Sequence, residues 1–507
     1  MMNIGAMTRR RTLQMMGCGA ALTAARLVTA RSDERRSRPN VLLITSEDNG
    51  PELGCYGDPY ARAPHLDRLA NEGVRFANAF ITNPVCSPSR GTIFTGLYPH
   101  QNGQIGLATH KYAMFEKWPN VVSILKEAGY RTGIIGKIHV NPESAFPCDY
   151  RALPGSNFNM RDMIKFSAAA EEFIAERHDP FFLMVNFPDA HFPLIKQYAG
   201  LPAKPLEATD VRTMPWVGAD SKRLRGFAAD YYNCLSRLDT GIGLLMDVLE
   251  RTGHASNTLI IYLGDHGAQF SRGKCCLYEA GLRVPFMVKW PGRVKSALVR
   301  NELISTVDIL PTVLDAVRCK GPGNLPGRSL LPLCRGEKVP WRQYLFAEKE
   351  GSTPFWTHPS RSVRDERYKL IVNLRRDHSN PVYQAYLTQF NVHFSAGANQ
   401  EEIDAASKLV RKAYATWKTL PPVELYDLKN DPYEWDNLAD QPRHADVRER
   451  LTRAMSNWRK QTGDPSADPE KLKMLIVEMD TVMREKVEYR KKNNFSWKYL
   501  DYYRVTK

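Results

Sequence analysis

Continuous runs of Val, Leu, Ile and Phe recur along the first 290 residues, and each run ends in a polar cluster. Four of them are RPNVLLITSEDNG, GIIGKIHV, DPFFLMVNFPDAHFP and NTLIIYLGDHG. Such a run is typical of a buried parallel strand that leads into a loop. Between the runs lie helical segments, including a long one over residues 224–251. This alternation predicts an α/β fold with a large, mostly parallel sheet flanked by helices.

After about residue 365 the pattern changes to shorter segments. ERYKLIVNL and VELYDLKNDPYEWDNLAD predict short antiparallel strands and turns, and EKLKMLIVEMDTVMREKVEYRKK predicts a helical tail. A chain of 507 residues also exceeds the size at which a single hydrophobic core stops growing. We therefore expect a large domain over residues 31–364 and a smaller C-terminal α+β domain over residues 365–507.

The N-terminal segment has the composition of an export signal. From Met7 it reads MTRRRTLQMMGCGAALTAARLVTA, in which three arginines precede an Ala-rich stretch and a small-x-small site at residues 28–30. The Thr-Arg-Arg order resembles a twin-arginine signal, whose cargo crosses the membrane already folded. We expect residues 1–30 to direct the protein to the periplasm or the extracellular space. The rest of the chain has no apolar run of membrane-spanning length, so no stable span is expected.

Net charge limits the kinds of binding partner that we expect. The formal net charge of +15 favours an anionic partner, but the chain contains no helix-turn-helix, zinc-finger or RNA-binding signature. We therefore expect no nucleic-acid partner.

The eight cysteines after residue 30 are scattered and do not form the spacing of a disulfide framework.

Polar residues of types that catalyse reactions or bind metal ions follow several of the predicted strands. Together with the Cys-Ser-Pro-Ser-Arg stretch and a later lysine, the candidates are Glu47, Asp48, Cys86, Arg90, Lys137, His139, His191, Asp265, His266 and Lys274. Any one of them alone is explained as well by a turn or a satisfied side chain. Their recurrence at four strand ends favours one site at the carboxyl edge of the sheet, where open α/β sheets hold their active sites.

These candidates divide into two chemical groups. The acidic residues supply hard oxygen ligands suited to Ca²⁺ or Mg²⁺. The basic residues supply positive charge and proton donors around an anion. A divalent ion and several cations around one nucleophile suit an in-line attack on a phosphate or sulfate group.

The stretch NPVCSPSRGTIFTG, residues 83–96, resembles the signature of the type I sulfatases. Its prolines, Pro84 and Pro88, predict an extended segment before a helix that begins near Ser89. EDNG, GIIGKIHV, DAHFP, GDHG and the later lysine follow in the same order as in that family, so the resemblance covers roughly residues 39–440. It implies an alkaline-phosphatase-like α/β sandwich with a small C-terminal sheet domain. In this family a dedicated formylglycine-generating enzyme reads Cys-x-Pro-x-Arg and oxidises the cysteine to Cα-formylglycine. The hydrated aldehyde then attacks sulfur with one hydroxyl and expels sulfate with the other.

The resemblance also implies a role for each candidate. The implied ligands of one Ca²⁺ ion are Glu47, Asp48, modified Cys86, Asp265 and His266. Arg90 and Lys137 are implied to fix the diol, and His139 to orient one of its hydroxyls. His191 and Lys274 are implied to face the sulfate and the leaving group, with His191 as the general acid. The family usually has Asp at the position of Glu47, and many relatives have Asn at that of His266.

The predicted substrate is a sulfated saccharide. Within the family the resemblance is strongest to enzymes that remove N-linked sulfate from glucosamine in heparan sulfate, through PHQNGQIGL, AGYRTGIIGKIHVNPESAFPCDY and VELYDLKNDPYEWDNLAD. Sulfatases of O-sulfated glycans share much of this scaffold, so both kinds of sulfate stay open.

Three other functions stay open beside a sulfatase. They are a formylglycine-dependent phosphonate or phosphodiester hydrolase, a metal-dependent phosphatase with unmodified Cys86, and a non-catalytic glycan-binding pseudo-sulfatase. A homodimer also stays open.

Overall fold

A computed structural model describes residues 38–504 except residues 156–160, 177–179, 376–378, 486–487, 490 and 493. The predicted export signal over residues 1–30 lies outside the described residues. Within them, no helix combines the length and apolar character needed to cross a membrane. The eight cysteines of this part of the chain are free thiols.

Fourteen strands occur in the described part of the chain. In chain order they are β1 (Asn40–Ser46), β2 (Val74–Phe76), β3 (Ala79–Phe80), β4 (Arg131–Gly136), β5 (Tyr150–Ala152), β6 (Phe181–Phe187), β7 (Thr258–Gly264), β8 (Phe286–Lys289), β9 (Leu298–Arg300), β10 (Ile304–Ser305), β11 (Leu345–Lys349), β12 (Ser360–Arg364), β13 (Tyr368–Asn373) and β14 (Val423–Asp427).

The main sheet has eight strands in the order β5-β4-β6-β1-β7-β8-β2-β9. The pairs β5-β4, β4-β6, β6-β1, β1-β7 and β2-β9 are parallel, whereas β8 runs antiparallel to both β7 and β2. The predicted large, mostly parallel sheet is therefore confirmed. The apolar runs of the sequence supply its central strands because these strands are buried on both faces.

Helices cover both faces of the sheet. Those described are α1 (Pro64–Asn71), α2 (Cys86–Thr95), α3 (Pro99–Asn102), α4 (Val121–Glu127), α5 (Met163–Ala175), α6 (Lys222–Arg251), α7 (Glu279–Leu282), α8 (Ile309–Val317), α9 (Leu331–Cys334), α10 (Pro381–Leu387), α11 (Gln400–Asp404), α12 (Lys408–Lys418), α13 (Ala445–Thr462), α14 (Pro469–Arg484) and α15 (Tyr499–Tyr502). Short 3₁₀ turns lie between them.

Alternate residues of β1 show how the two layers form. Leu42 and Ile44 pack into one core with apolar residues of α5 and α6, and Val41 and Leu43 pack into the other with residues of α4 and α8. Successive side chains of a strand point to opposite faces, so one strand serves two cores. This two-sided burial makes the sheet a rigid base for the loops at its carboxyl edge.

A second sheet follows in the chain. It contains four antiparallel strands in the order β11-β12-β13-β14. The small C-terminal sheet is thus confirmed, although β11 and β12 precede residue 365. The domain boundary at that residue stays a prediction. The predicted helical tail is present as α14, which ends at Arg484.

Candidate active site

The four strand ends that carry the predicted polar residues are neighbours in the sheet. β4, β6, β1 and β7 lie side by side and run parallel, so the loops after them meet at one edge. Direct contacts or close charges connect all ten predicted site residues there: Glu47, Asp48, Cys86, Arg90, Lys137, His139, His191, Asp265, His266 and Lys274.

Cys86 is the first residue of α2, and its side chain is buried at the centre of the cluster. The helix was expected to begin near Ser89, but it begins three residues earlier, which places Cys86 at the positive helix end. The thiol sulfur lies 3.2 Å from Nε2 of His266. Burial raises the pKa of the thiol, but positive charges led by that of Lys137 outweigh burial and lower it. The site therefore stabilises negative charge on residue 86.

Arg90, one turn further along α2, connects the surrounding strand ends. Its guanidinium donates to Glu47 (2.5 Å), Asp265 (3.1 Å), the side chain of Asn186 (2.8 Å) and the carbonyl oxygen of Lys137 (3.2 Å). The ammonium of Lys137 donates to the other carboxylate oxygen of Glu47 at 2.8 Å. Burial alone would raise the pKa of Glu47, but the charges of Lys137 and Arg90 hold it at about 2.

Lys274 occupies the opposite side of the cluster. Its ammonium donates to both carboxylate oxygens of Asp48, at 2.8 and 2.9 Å, and to Gln269 at 3.2 Å. Nε2 of His266 lies 3.2 Å from one of the same Asp48 oxygens. Burial disfavours the charged ring, but the carboxylate of Asp265 raises the pKa of His266 to about 9. These cations balance the charge of the buried carboxylates.

Gly264 and Gly267, on either side of Asp265 and His266, allow this segment to pack closely against neighbouring backbone. A Cβ atom at Gly264 would lie 2.1 Å from the carbonyl oxygen of Asn49, and one at Gly267 would lie 1.8 Å from that of Ala280. Neither distance is sterically allowed, so no other residue fits at either position without a backbone shift. This accounts for the GDHG pattern.

The two remaining histidines have neutral rings. His139 has φ of 58°, and both of its ring nitrogens are buried without a hydrogen-bond partner among the described residues. In His191, Nδ1 lies 2.7 Å from the carbonyl oxygen of Phe192 and therefore carries the ring proton. Burial, together with the charge of Lys137 for His139 and of Lys274 for His191, holds both pKa values well below the usual range.

The site offers a donor set for a divalent metal ion. One atom from each of Glu47, Asp48, Cys86 and His191 lies within 4.8 Å of the others, and Cys86, Asp265 and His266 form an overlapping group. Oxygen-rich donor sets of this kind fit Ca²⁺ or Mg²⁺. Both oxygens of Glu47 already accept hydrogen bonds from cations, but each keeps a second lone pair, so these ion pairs do not exclude Glu47 as a ligand.

A buried ion-pair network supports the loop that carries His191. Asp189 accepts hydrogen bonds from Arg161 and from two nitrogens of Arg237, at 2.7 and 2.9 Å. The guanidinium of Arg161 also donates to the carbonyl oxygens of His191 and Pro193, at 2.6 and 3.0 Å. All three charged side chains are at most 1% exposed. The network fixes the backbone on which His191 sits.

Sequence reasoning missed several residues of the site. Asn186 interrupts the apolar run FFLMVNF, and this irregularity could have marked it. Arg161 and Arg237 carried no local signal, because a charged residue near or within a helix is normally solvated. His393 comes from the C-terminal half of the chain, and its ring centroid lies 5.4 Å from that of His191.

Comparison with known proteins shows which family the sequence matches. A sequence model of the Sulfatase family matches residues 39–318, and one described as "N-sulphoglucosamine sulphohydrolase, C-terminal" matches residues 264–386. Human N-sulphoglucosamine sulphohydrolase is 31% identical over 474 residues, which cover 85% of this chain and 92% of the relative. An ulvan-active sulfatase of Formosa agariphila is 29% identical, with 91% of this chain and 90% of the relative covered.

A solved structure has a similar fold. The phosphonate monoester hydrolase of Agrobacterium radiobacter aligns with a TM-score of 0.64 at 20% identity, covering 84% of this chain and 96% of the other. The alkaline-phosphatase-like architecture expected from the sequence is thereby confirmed. At this level of identity the likeness concerns the fold alone.

Replacing Arg161 by Met should destabilise the protein. Among the described residues the change leaves Asp189 with Arg237 as its one cationic partner, and it removes the donor from two buried carbonyl oxygens. We therefore expect the free energy of unfolding to fall by roughly 3 kcal/mol. Urea unfolding measures the effect. Arg212→Met is the matched control, because Arg212 is exposed and 3.4 Å from Asp220, and it should change stability by less than about 0.5 kcal/mol. Equal effects of the two substitutions would contradict the supporting role.

Proposed function

The chain belongs to the sulfatase family, and we propose that it removes the N-linked sulfate of a glucosamine residue in a sulfated saccharide, with residue 86 as a formylglycine and one Ca²⁺ ion at the site. Its family makes it a hydrolase of sulfate esters or sulfamates. The observation that carries the finer proposal is the match of residues 264–386 to the C-terminal family of N-sulphoglucosamine sulphohydrolases, together with 31% identity to the human enzyme.

The surroundings of Cys86 support its conversion to formylglycine. It lies in the Cys-x-Pro-x-Arg sequence at a helix N-terminus, next to groups that favour negative charge on its side chain. Both ring nitrogens of buried His139 have no hydrogen-bond partner among the described residues, which suits a hydroxyl group that an unmodified thiol does not supply. When formed, the hydrated aldehyde supplies the nucleophilic hydroxyl. We therefore also propose that a formylglycine-generating enzyme acts on this chain.

The cluster also supports one bound Ca²⁺ ion. Asp48, Asp265 and His266, with Glu47 and the residue-86 side chain, would hold it. When bound, the ion supplies positive charge that polarises the sulfate oxygens. The chain's own residues then act on the substrate. Lys137 and Lys274 lie close to the nucleophile and attract the anionic group, which favours sulfate binding at residue 86.

His191 is suited to the leaving group. One of its ring nitrogens lies within 4.8 Å of donor atoms of Glu47, Asp48 and Cys86, and its own backbone is held by Arg161. A bound sulfate brings negative charge next to this ring and favours its protonated form. His191 can then pass a proton to the departing amine, which is a poor leaving group without it.

We further propose that the enzyme works outside the cytoplasm. The twin-arginine-like composition of residues 1–30 supports this location. A polymeric sulfated saccharide would be met there.

A substrate comparison tests the reaction. We expect the matured protein to release sulfate from glucosamine N-sulfate with a kcat/KM at least about tenfold above that for glucosamine 6-O-sulfate or an aryl phosphonate monoester. Ion chromatography of released sulfate and phosphonate measures this. Asp48→Asn, purified in parallel, should be inactive on all three and exclude a contaminant. Faster cleavage of the phosphonate would favour the alternative of a phosphonate hydrolase.

Mass spectrometry of the peptide spanning residues 83–90 tests the nucleophile. In a host with the maturing enzyme, oxidation of the thiol to an aldehyde should lower the mass by about 18 Da. Cys86→Ala should fold normally and show no turnover, and Cys86→Ser should lose nearly as much, because a serine cannot expel sulfate by the same second step. An intact, unmodified Cys86 in an active preparation would exclude the formylglycine mechanism.

Metal removal tests the cation. Chelation should abolish turnover and lower Tm by at least about 2 °C, because the ion is expected to bind only the folded state. Added Ca²⁺ should restore both. Asp48→Asn serves as control, since its Tm should no longer respond to Ca²⁺. Full activity in protein shown by elemental analysis to be metal-free would contradict the assignment.

A further inference from the structure

A row of aromatic rings leads from the catalytic cluster to the protein surface. The hydroxyl of Tyr386 donates to the carbonyl oxygen of Lys274 at 3.2 Å. From Tyr386 the row continues through Phe394 and Trp356, with ring centroids 4.8 Å apart at each step, to Phe390 at 6.3 Å from Trp356. Each ring meets the next at between 70° and 88°, the edge-to-face geometry that aromatic pairs favour. The row is therefore packed from the catalytic lysine outward.

Exposure rises along this row. Tyr386 and Phe394 are fully buried, whereas Phe390 is 68% exposed. Val392, two residues further on, is 49% exposed. Leaving large apolar side chains in water forgoes the free energy of burial, and exposed apolar groups clustered beside a site mark binding surfaces. The outer end of the row therefore exposes apolar side chains that a ligand can contact.

The segment of residues 390–394 connects this apolar surface to the cluster around Cys86. His393, between Val392 and Phe394, places its ring 5.4 Å from the ring of His191 at an angle of 72°. Burial and the charges of Lys274 and Lys137 lower the pKa of His393 to about 4, which agrees with its position beside the cationic cluster. His393 is three positions after Phe390, so their Cα atoms are at most about 11 Å apart. That is within reach of one saccharide chain.

We propose that Phe390, supported by Trp356, forms a subsite that stacks on the sugar ring next to the sulfated residue of an oligosaccharide. The inference rests on the proposed function and extends it from a single sulfated sugar to the neighbouring ring. A pyranose ring presents an apolar face of C–H groups, which is attracted to the negative face of an aromatic ring. With the sulfated residue bound at His191 as proposed, His393 lies beside it and Phe390, three positions earlier in the chain, lies within reach of the next ring. The subsite makes the enzyme selective for oligosaccharides over the monosaccharide.

The test compares two substrates with the same terminal residue, glucosamine N-sulfate and a tetrasaccharide that ends in N-sulfated glucosamine. The wild-type protein should have the higher kcat/KM on the tetrasaccharide. Phe390→Ala should lower kcat/KM on the tetrasaccharide about tenfold through KM, and should leave the monosaccharide unchanged within about twofold. Phe390→Trp keeps an aromatic surface and should retain the preference.

Val299→Ala is the matched control. Val299 is also an exposed apolar side chain, 46% accessible, but it lies on β9 at the outer edge of the main sheet. Its truncation should leave kcat/KM unchanged on both substrates. Urea unfolding should give the same midpoint for both alanine variants. If the wild type is active but Phe390→Ala loses nothing on the tetrasaccharide, or loses equally on both substrates, the subsite is wrong and the proposed function stands. If the wild type releases sulfate from neither saccharide, both fall.

Discussion

The structure of the candidate site at the carboxyl edge of the main sheet depends on one buried guanidinium. Arg90 is fully buried and donates to groups from all four strand ends, namely Glu47 after β1, the backbone of Lys137 after β4, Asn186 in β6 and Asp265 after β7. A buried cation must be paired and hydrogen-bonded, and only the planar fork of arginine presents several donors in fixed directions. The position of α2 relative to the sheet follows from these bonds, and with it the position of Cys86 at the start of that helix.

The same requirement for pairing shapes the chemistry of the site. Carboxylates removed from water need partners, and in this protein the partners are cations that also attract an anion. Lys137 and Lys274 each bind a carboxylate and lower the pKa of Cys86. The groups that make the buried carboxylates tolerable are therefore also the groups that suit a sulfate. A metal ion bound among the carboxylates would add to this positive charge. Behind the site, Arg161 and Arg237 neutralise Asp189 in the same way and hold the loop of His191 in place.

Much of this was predictable from local sequence. The apolar runs predict the central strands, and the ten polar candidates after them and around Cys86 do meet at one edge, because parallel neighbouring strands bring their carboxyl ends together. The beginning of α2 was predicted three residues late, since a segment held by two prolines gives no local sign of where helical hydrogen bonding starts. The supporting arginines could not be found, because the charge of a side chain does not reveal that a distant carboxylate will meet it.

The sequence by itself determined the α/β class, the order of the strands along the chain and the residue types of the candidate site around Cys86. These depend on hydrophobic periodicity and on a short motif, both of which are local. Only the tertiary structure decided which carboxylate pairs with which cation, that the ring nitrogens of His139 lack a hydrogen-bond partner within the described residues, and that His393 from the C-terminal half lies beside His191. Such contacts join residues 43 to 226 positions apart, and their energies depend on burial and distance, which exist only once the chain has folded.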